Sequence, residues 1–251
     1  AILTVSYSIF KVLKDEFGFD FNSFKYFAGH SLGEYSALVC AGSLTFDDAL
    51  YLLHERGKAM QEAVPVGTGS MIAVLGMKIN DINDLLNSRN KNEGICEIAN
   101  DNANGQVIIS GNKKSVESFQ MTLKEHKIKS IPLKVSAPFH CLLMKPAAKS
   151  MEEKINNTEF KDPLFKIISN VTANSESKPN IIKRLLIEQI FSTVKWREGL
   201  IYMSNGGIKN FVEIGPGKVL TGMVKRTVKE PNCFSINSIT DIKNFINEFK
   251  K

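Results

Sequence analysis

Apolar and polar positions along this chain repeat with two different periods. Residues 24–29, Phe-Lys-Tyr-Phe-Ala-Gly, form a short apolar run that predicts a strand, and 32–41 carries helical spacing until Gly42 stops it. Thr45 then reads as an N-cap with Asp48 as its capping-box partner, opening a helix that runs to about Val64, before Pro65. From residue 67 the pattern changes. Strands are predicted over 71–76, 95–99, 106–110 and 129–135, with helices over 80–90 and 115–126. That order, βαββαβ, is the split motif of ferredoxin-like folds. Gly67 and Gly69 bracket it on one side and Pro138 on the other. Residues 67–135 therefore read as a subdomain inserted into a core made of 1–66 and 136–251.

Beyond residue 136 strands and helices alternate. A helix from about Leu142 precedes a strand over 165–169, a helix near 181–191 and another opening at Trp196. A strand over 210–214, a helix after Gly217 and a strand over 233–236 follow, and 244–251 reads as an ordinary chain end. Such alternation predicts an α/β core with a mostly parallel sheet covered on both faces.

Composition narrows the function classes. With 251 residues, 43% hydrophobic and 23% charged, the chain has the balance of a globular domain, which excludes intrinsic disorder and a disulfide miniprotein. No apolar run approaches the roughly 18–20 residues that span a bilayer. The opening Ala-Ile-Leu-Thr-Val has neither an initiating Met nor a signal-peptide layout, so a soluble fragment lacking its natural beginning is expected. The net charge of +6 rests on Lys, with Arg at only five positions and no zinc-finger spacing, which argues against nucleic acid. Cys40, Cys96, Cys141 and Cys233 form no Cys-x-x-Cys pair and read as reduced thiols of a cytosol-like compartment.

Candidate chemistry begins at Gly29-His30-Ser31-Leu32-Gly33, a G-x-S-x-G pentapeptide between a predicted strand and a predicted helix. That turn would push the Ser31 hydroxyl above the sheet, with the Leu32 N–H at the helix N-terminus facing a carbonyl oxygen attached to it. A serine nucleophile needs a base. His30 adjoins the turn and reads as structural, while His54 and His126 fall on polar helix faces. Elimination leaves His140, in the loop after the inserted subdomain. On the helix after Thr45, Arg56 falls within the apolar stripe of Ala49, Leu52, Leu53, Met60 and Ala63. A buried guanidinium must meet an anion or reach water. From the helix alone, an internal salt bridge and a substrate carboxylate answer that need equally well.

The segment Gly29-His30-Ser31-Leu32-Gly33-Glu34-Tyr35-Ser36-Ala37-Leu38 closely resembles malonyl-CoA:acyl carrier protein transacylases, as does Arg56-Gly57-Lys58-Ala59-Met60-Gln61. Further matching blocks lie at 67–71, Asn100 to Asn102, 106–108, 136–141, 186–196 and 213–222, in family order over essentially the whole chain. The resemblance implies a hydrolase-like α/β core carrying a ferredoxin-like subdomain. It implies malonyl transfer from malonyl-CoA to the phosphopantetheine thiol of acyl carrier protein, with no cofactor and no metal.

By resemblance Ser31 is the acylated nucleophile, His140 the general base, Arg56 the binder of the malonyl carboxylate and the Leu32 N–H half of the oxyanion hole. Gln189 matches the position whose backbone carbonyl orients the histidine, which accounts for the lack of a third acidic residue in the reading of the residues. Asn102 matches a position near that histidine, although a plain turn role stays open for it. Phe139 resembles the variant associated with malonyl rather than α-branched units. The family begins with a strand and a loop whose Gln completes the oxyanion hole. This first strand and its Gln are expected to be missing, and loss of one such donor costs about 100–1,000-fold in rate. Gly215-Pro216-Gly217-Lys218 lacks phosphate-loop spacing and reads as a tight strand-to-helix turn. A cytoplasmic monomer is expected, its surplus Lys steering an acidic carrier protein. The competing readings are a serine thioesterase or esterase on the same turn, a non-catalytic carrier-binding fragment, and an acyltransferase module cut from a larger synthase.

Overall fold

Two kinds of sheet result from these two patterns. The computed structural model describes residues 1–90 and 93–249. Helix α1 (Ile2–Lys11) passes through a wider turn over Val12–Glu16 and leads to strand β1 (Tyr26–Ala28), helix α2 (Leu32–Cys40) and helix α3 (Phe46–Glu62). Gly42 ends α2 at φ +73°, the left-handed conformation that side chains resist. Thr45 Oγ1 accepts the Asp48 N–H at 3.1 Å and caps α3.

The next stretch holds β2 (Gly69–Leu75), α4 (Ile79–Asn87), β3 (Cys96–Ala103), β4 (Gln106–Asn112), α5 (Lys113–Glu125) and β5 (Lys129–Pro132). Its strands pair antiparallel in the order β3-β4-β2-β5. Alternation places Ile72, Val74, Val107 and Ile109 on one face, where Phe119 and Leu123 of α5 cover them. Met71, Ala73 and Ile108 point the other way and meet Phe139, next to His140. A Cβ on Gly69 would lie 2.3 Å from Pro138 Cγ, so the two brackets seen in the sequence pack on each other.

Strand β3 runs four residues past its predicted end at Ala99. Its polar Asn-Asp-Asn continuation resembles a turn in sequence, but the rest of the chain supplies partners. The Asp101 N–H donates to the Val194 carbonyl at 3.0 Å, and its carboxylate accepts Arg197 Nη2 at 2.8 Å.

The remaining elements are α6 (Lys145–Asn157), β6 (Lys166–Ile168), β7 (Ser175–Glu176), α7 (Pro179–Gln189), α8 (Trp196–Asn205), β8 (Asn210–Ile214), α9 (Val219–Thr227), β9 (Asn232–Ile236) and α10 (Ile239–Phe249). Strand β1 pairs parallel with β6, which takes β7 antiparallel; β8 pairs parallel with β9. Among the described residues these remain two separate pieces, and β1 and β8 both line the cavity of about 760 Å³ that lies between them. The turn after β8 is the tight strand-to-helix turn expected, with the Glu213 carboxylate accepting the Thr221 N–H of α9 at 2.7 Å.

The chain end differs from expectation. Residues 244–249 belong to α10, because Ile242, Phe245, Ile246 and Phe249 recur at helical spacing and bury against Phe10 and Ile236. Residues 250–251 of that tail lie outside the described residues.

Candidate active site

Strand β1 delivers the chain into the Gly29-His30-Ser31 turn. A Cβ on Gly29 would sit 1.9 Å from the Gly33 carbonyl oxygen, so the turn closes only around a glycine there. At Gly33 an added Cβ would meet nothing within 4 Å, so of the two glycines only the first is required by its surroundings. Ser31 itself takes φ +52° and ψ −109°, a strained conformation held from outside by Asn170. Asn170 Oδ1 accepts the Ser31 N–H at 2.7 Å, and its Nδ2 donates to the Gly29 carbonyl at 2.8 Å.

Ser31 is the N-cap of α2 and Glu34 its third residue, the Ser-x-x-Glu spacing of a capping box. The Ser31 side chain nevertheless makes no capping bond. Its Oγ lies 2.8 Å from His140 Nε2. Glu34 turns inward, where its Oε2 accepts Gln189 Nε2 at 2.7 Å and the Asn170 N–H at 3.1 Å. No acceptor sits on the Leu32 N–H among the described residues, which leaves that donor free at the helix N-terminus beside Ser31.

His140 is buried and sits at φ +57°. Its Nδ1 lies 2.8 Å from the Gln189 carbonyl, which is free for this bond because α7 ends at that residue. Nδ1 therefore carries the proton, and Nε2 is the acceptor facing the Ser31 hydroxyl. Burial, with the Arg56 guanidinium adding to it, holds the His140 pKa down to about 3. The imidazole is neutral and able to take a proton.

Arg56 is 6% exposed, as its place in the α3 stripe predicted. Its Nη2 donates to Ser31 Oγ and to Gln189 Oε1, both at 3.0 Å. No carboxylate comes within ion-pair distance of it among the described residues, and its Nε has no acceptor. The guanidinium rests near the Tyr35 ring, 5.9 Å from its centroid. Of the two answers open in the sequence, the internal salt bridge is absent among the described residues.

The other sequence candidates are placed differently. Asn102, expected near His140, pairs with His30: its Oδ1 lies 2.8 Å from His30 Nε2. Burial lowers the His30 pKa, and its ring packs edge-on against Trp196. Phe139 is half-buried between the main core and the four-stranded sheet. His54 and His126 are exposed. Glu34 and Asn170 escaped the sequence reading. The Ser-x-x-Glu spacing was a signal, but one that suggests a cap rather than a buried carboxylate. Among the described residues no group of three or more His, Cys, Asp or Glu could hold a metal ion, and no helix is long and apolar enough to cross a membrane.

A serine on a strained strand-to-helix turn, bonded to a neutral histidine that a carbonyl orients, defines an enzyme that carries an acyl group as a serine ester. The chain belongs to the acyl transferase domain family, whose model matches residues 5–250. It is 41% identical over 254 residues to the malonyl CoA-acyl carrier protein transacylase of Bacillus subtilis, covering 100% of this chain and 78% of that protein. The solved acyl-carrier-protein-S-malonyltransferase of Bartonella henselae superposes with a TM-score of 0.95 at 37% identity, covering 99% of this chain and 79% of that one. A complex described as a type II PKS acyl-carrier protein with its malonyl-transacylase matches with a TM-score of 0.93 at 37% identity, covering 98% and 79% of the two chains.

Proposed function

We infer that this chain moves the malonyl group from malonyl-CoA to the phosphopantetheine thiol of acyl carrier protein, supplying extender units for fatty acid synthesis. The observation that carries this reading is the buried Arg56 guanidinium, 3.0 Å from the Ser31 oxygen and without a carboxylate at ion-pair distance among the described residues. A malonyl thioester bound there brings its free carboxylate to the cation while its carbonyl carbon lies over Ser31. The proposed chemistry is ping-pong. His140 Nε2 takes the Ser31 proton as Oγ bonds to the thioester carbon, and the carbonyl oxygen gains charge beside the Leu32 N–H. The carbon–sulfur bond then breaks, and the CoA thiolate leaves with the proton from His140. Acyl carrier protein thiol returns along the same path, giving the malonyl-carrier thioester and free Ser31. Gln189 fixes the imidazole throughout, so no carboxylate is needed behind it. The proposed placement of Phe139 is on the wall beside His140, and that of Asn102 is behind the turn, through His30. This chemistry calls for no cofactor, and the proposed compartment is the cytoplasm.

We further propose that 67–135 is the inserted unit, and that the slot lined by β1 and β8 receives one parallel strand from beyond residues 1–251. Both strands are unpaired on that side, and the slot reaches Leu32, where a second oxyanion donor would stand.

Intact-mass measurement with malonyl-CoA tests the central reading. One malonyl increment is expected, lost in Ser31→Ala and passed on to acyl carrier protein. Release of free malonate instead would make the protein a thioesterase, and no increment would refute the nucleophile.

A further inference from the structure

We propose that Glu34 is a positioning residue for this site, the buried acceptor that orients Gln189 and Asn170 and through them Ser31, Arg56 and His140. The inference rests on the malonyl-transfer reading for its kinetic readouts, but its geometry stands apart. Glu34 is 3% exposed and Gln189 fully buried, so each polar atom they carry must be matched inside the protein. One oxygen, Glu34 Oε2, receives both the Gln189 Nε2 and the Asn170 N–H.

The side-chain amide and the backbone carbonyl of Gln189 also reach the residues proposed to react. Nε2 also donates to the Ser31 carbonyl at 3.1 Å, Oε1 accepts Arg56 at 3.0 Å, and the backbone carbonyl lies 2.8 Å from His140 Nδ1. Asn170 holds the Ser31 N–H and the Gly29 carbonyl.

A glutamine amide can be turned end for end with little change in shape. Turned over, Gln189 would present its NH₂ to Arg56, donor against donor. Glu34 opposes this together with the Ser31 carbonyl. The carbonyl and the Glu34 oxygen, which also takes the Asn170 N–H, both accept from Nε2, which leaves Oε1 facing the guanidinium. Arg56 thus owes part of its orientation to a carboxylate that it does not touch. Burial pushes the Glu34 pKa up to about 7, so a neutral acceptor is a fair substitute for it.

Two variants of the full chain separate placement from charge. Glu34→Gln keeps an oxygen at the same reach and removes the charge, whereas Glu34→Asp keeps the charge and withdraws the oxygen by one methylene. For Glu34→Gln, kcat, KM for malonyl-CoA and the malonyl-to-acetyl loading ratio should stay within about threefold of the parent; for Glu34→Asp, kcat and the ratio should each fall about tenfold or more. The Nδ1–H proton resonance of His140 should move in Glu34→Asp and stay in place in Glu34→Gln. The opposite order, equal impairment of both variants, or an unaffected Glu34→Asp would overturn the proposal. A parent protein that takes no malonyl from malonyl-CoA would defeat the functional reading instead, and the histidine resonance would still decide the role of Glu34.

Discussion

Arg56 Nη2 donates to the hydroxyl oxygen of Ser31 at 3.0 Å, so the only buried cation of α3 and the proposed nucleophile touch before any substrate arrives. Placed there, the cation can read whether the incoming acyl group carries a second, charged end. Replacing Arg56 with Ala should lower malonyl loading and narrow the preference for malonyl-CoA over acetyl-CoA by about 10–100-fold, the worth of one lost charge-assisted pair. Arg56→Lys should recover only part of that preference, because an ammonium lacks the planar fork that can hold a carboxylate through two parallel donors. Competition between the two thioesters for the loaded serine measures both. An Arg56→Ala protein with undiminished preference would remove the carboxylate clamp.

His140 should leave a mark on pH dependence that differs from an ordinary histidine. Its pKa is held from the usual 6.5 down to about 3, so the neutral base persists far into acid, and loading should have no limb from His140 between about pH 5 and 8. Stability responds in the other direction. Below 6.5 the unfolded chain takes up a proton that the folded imidazole refuses, so His140's contribution is whole above 6.5 and lost as pH falls towards 3. Glu34 acts oppositely, since its raised pKa of about 7 favours the fold at low pH and loses that effect as pH rises through 7. Melting temperature against pH for the parent and His140→Gln separates the two. The parent should lose more on acidification from about pH 7 to 5. Parallel curves would refute the depressed pKa.

What could be read from the sequence follows the range of the interactions. The four-stranded sheet β3-β4-β2-β5 was legible because a period of two and short turns fix it locally, and Arg56 stood out because a helical stripe has a known face. The polar run from Asn100 to Asn102 misled, since its pairing with β4 continues to Ala103 against Gln106 while distant Val194, Arg197 and His30 take up its polar groups. Glu34 was hidden for the same reason: its partners stand 136 and 155 residues away. The Asn102 contact with His30 was not legible, because no local pattern says which ring a distant amide meets.

The two glycines of the pentapeptide should respond unequally. Gly29→Ala drives a Cβ into the backbone of Gly33, which no side-chain movement relieves, and should cost roughly 3 kcal/mol or more along with all loading. Gly33→Ala meets open space inside a helix and should stabilise the chain by about 0.4–1 kcal/mol. Urea unfolding of both proteins gives the comparison. Equal destabilisation would mean that the turn needs both glycines.

The slot beside β1 and β8 makes the last prediction, because it explains why Gly33 faces nothing. Gly33 and Leu32 line it together with Phe27 and Val212, so a strand entering there would cover the free edges and approach the oxyanion position. In chain 1–251 the slot-facing amides of β1 and β8 should exchange with deuterium much faster than those of β4, which is paired on both sides. Overlapping peptides drawn from the fifth of the Bacillus subtilis relative that this chain does not match provide the occupant. One of them should slow exchange at Phe27 and Val212 and raise the rate of malonyl loading, by up to about 100-fold if it carries the second oxyanion donor. The gain should shrink in Gly33→Ala, whose methyl projects into the slot. If no peptide in the series alters exchange at either strand, the slot does not take a strand and the two half-sheets are the finished core.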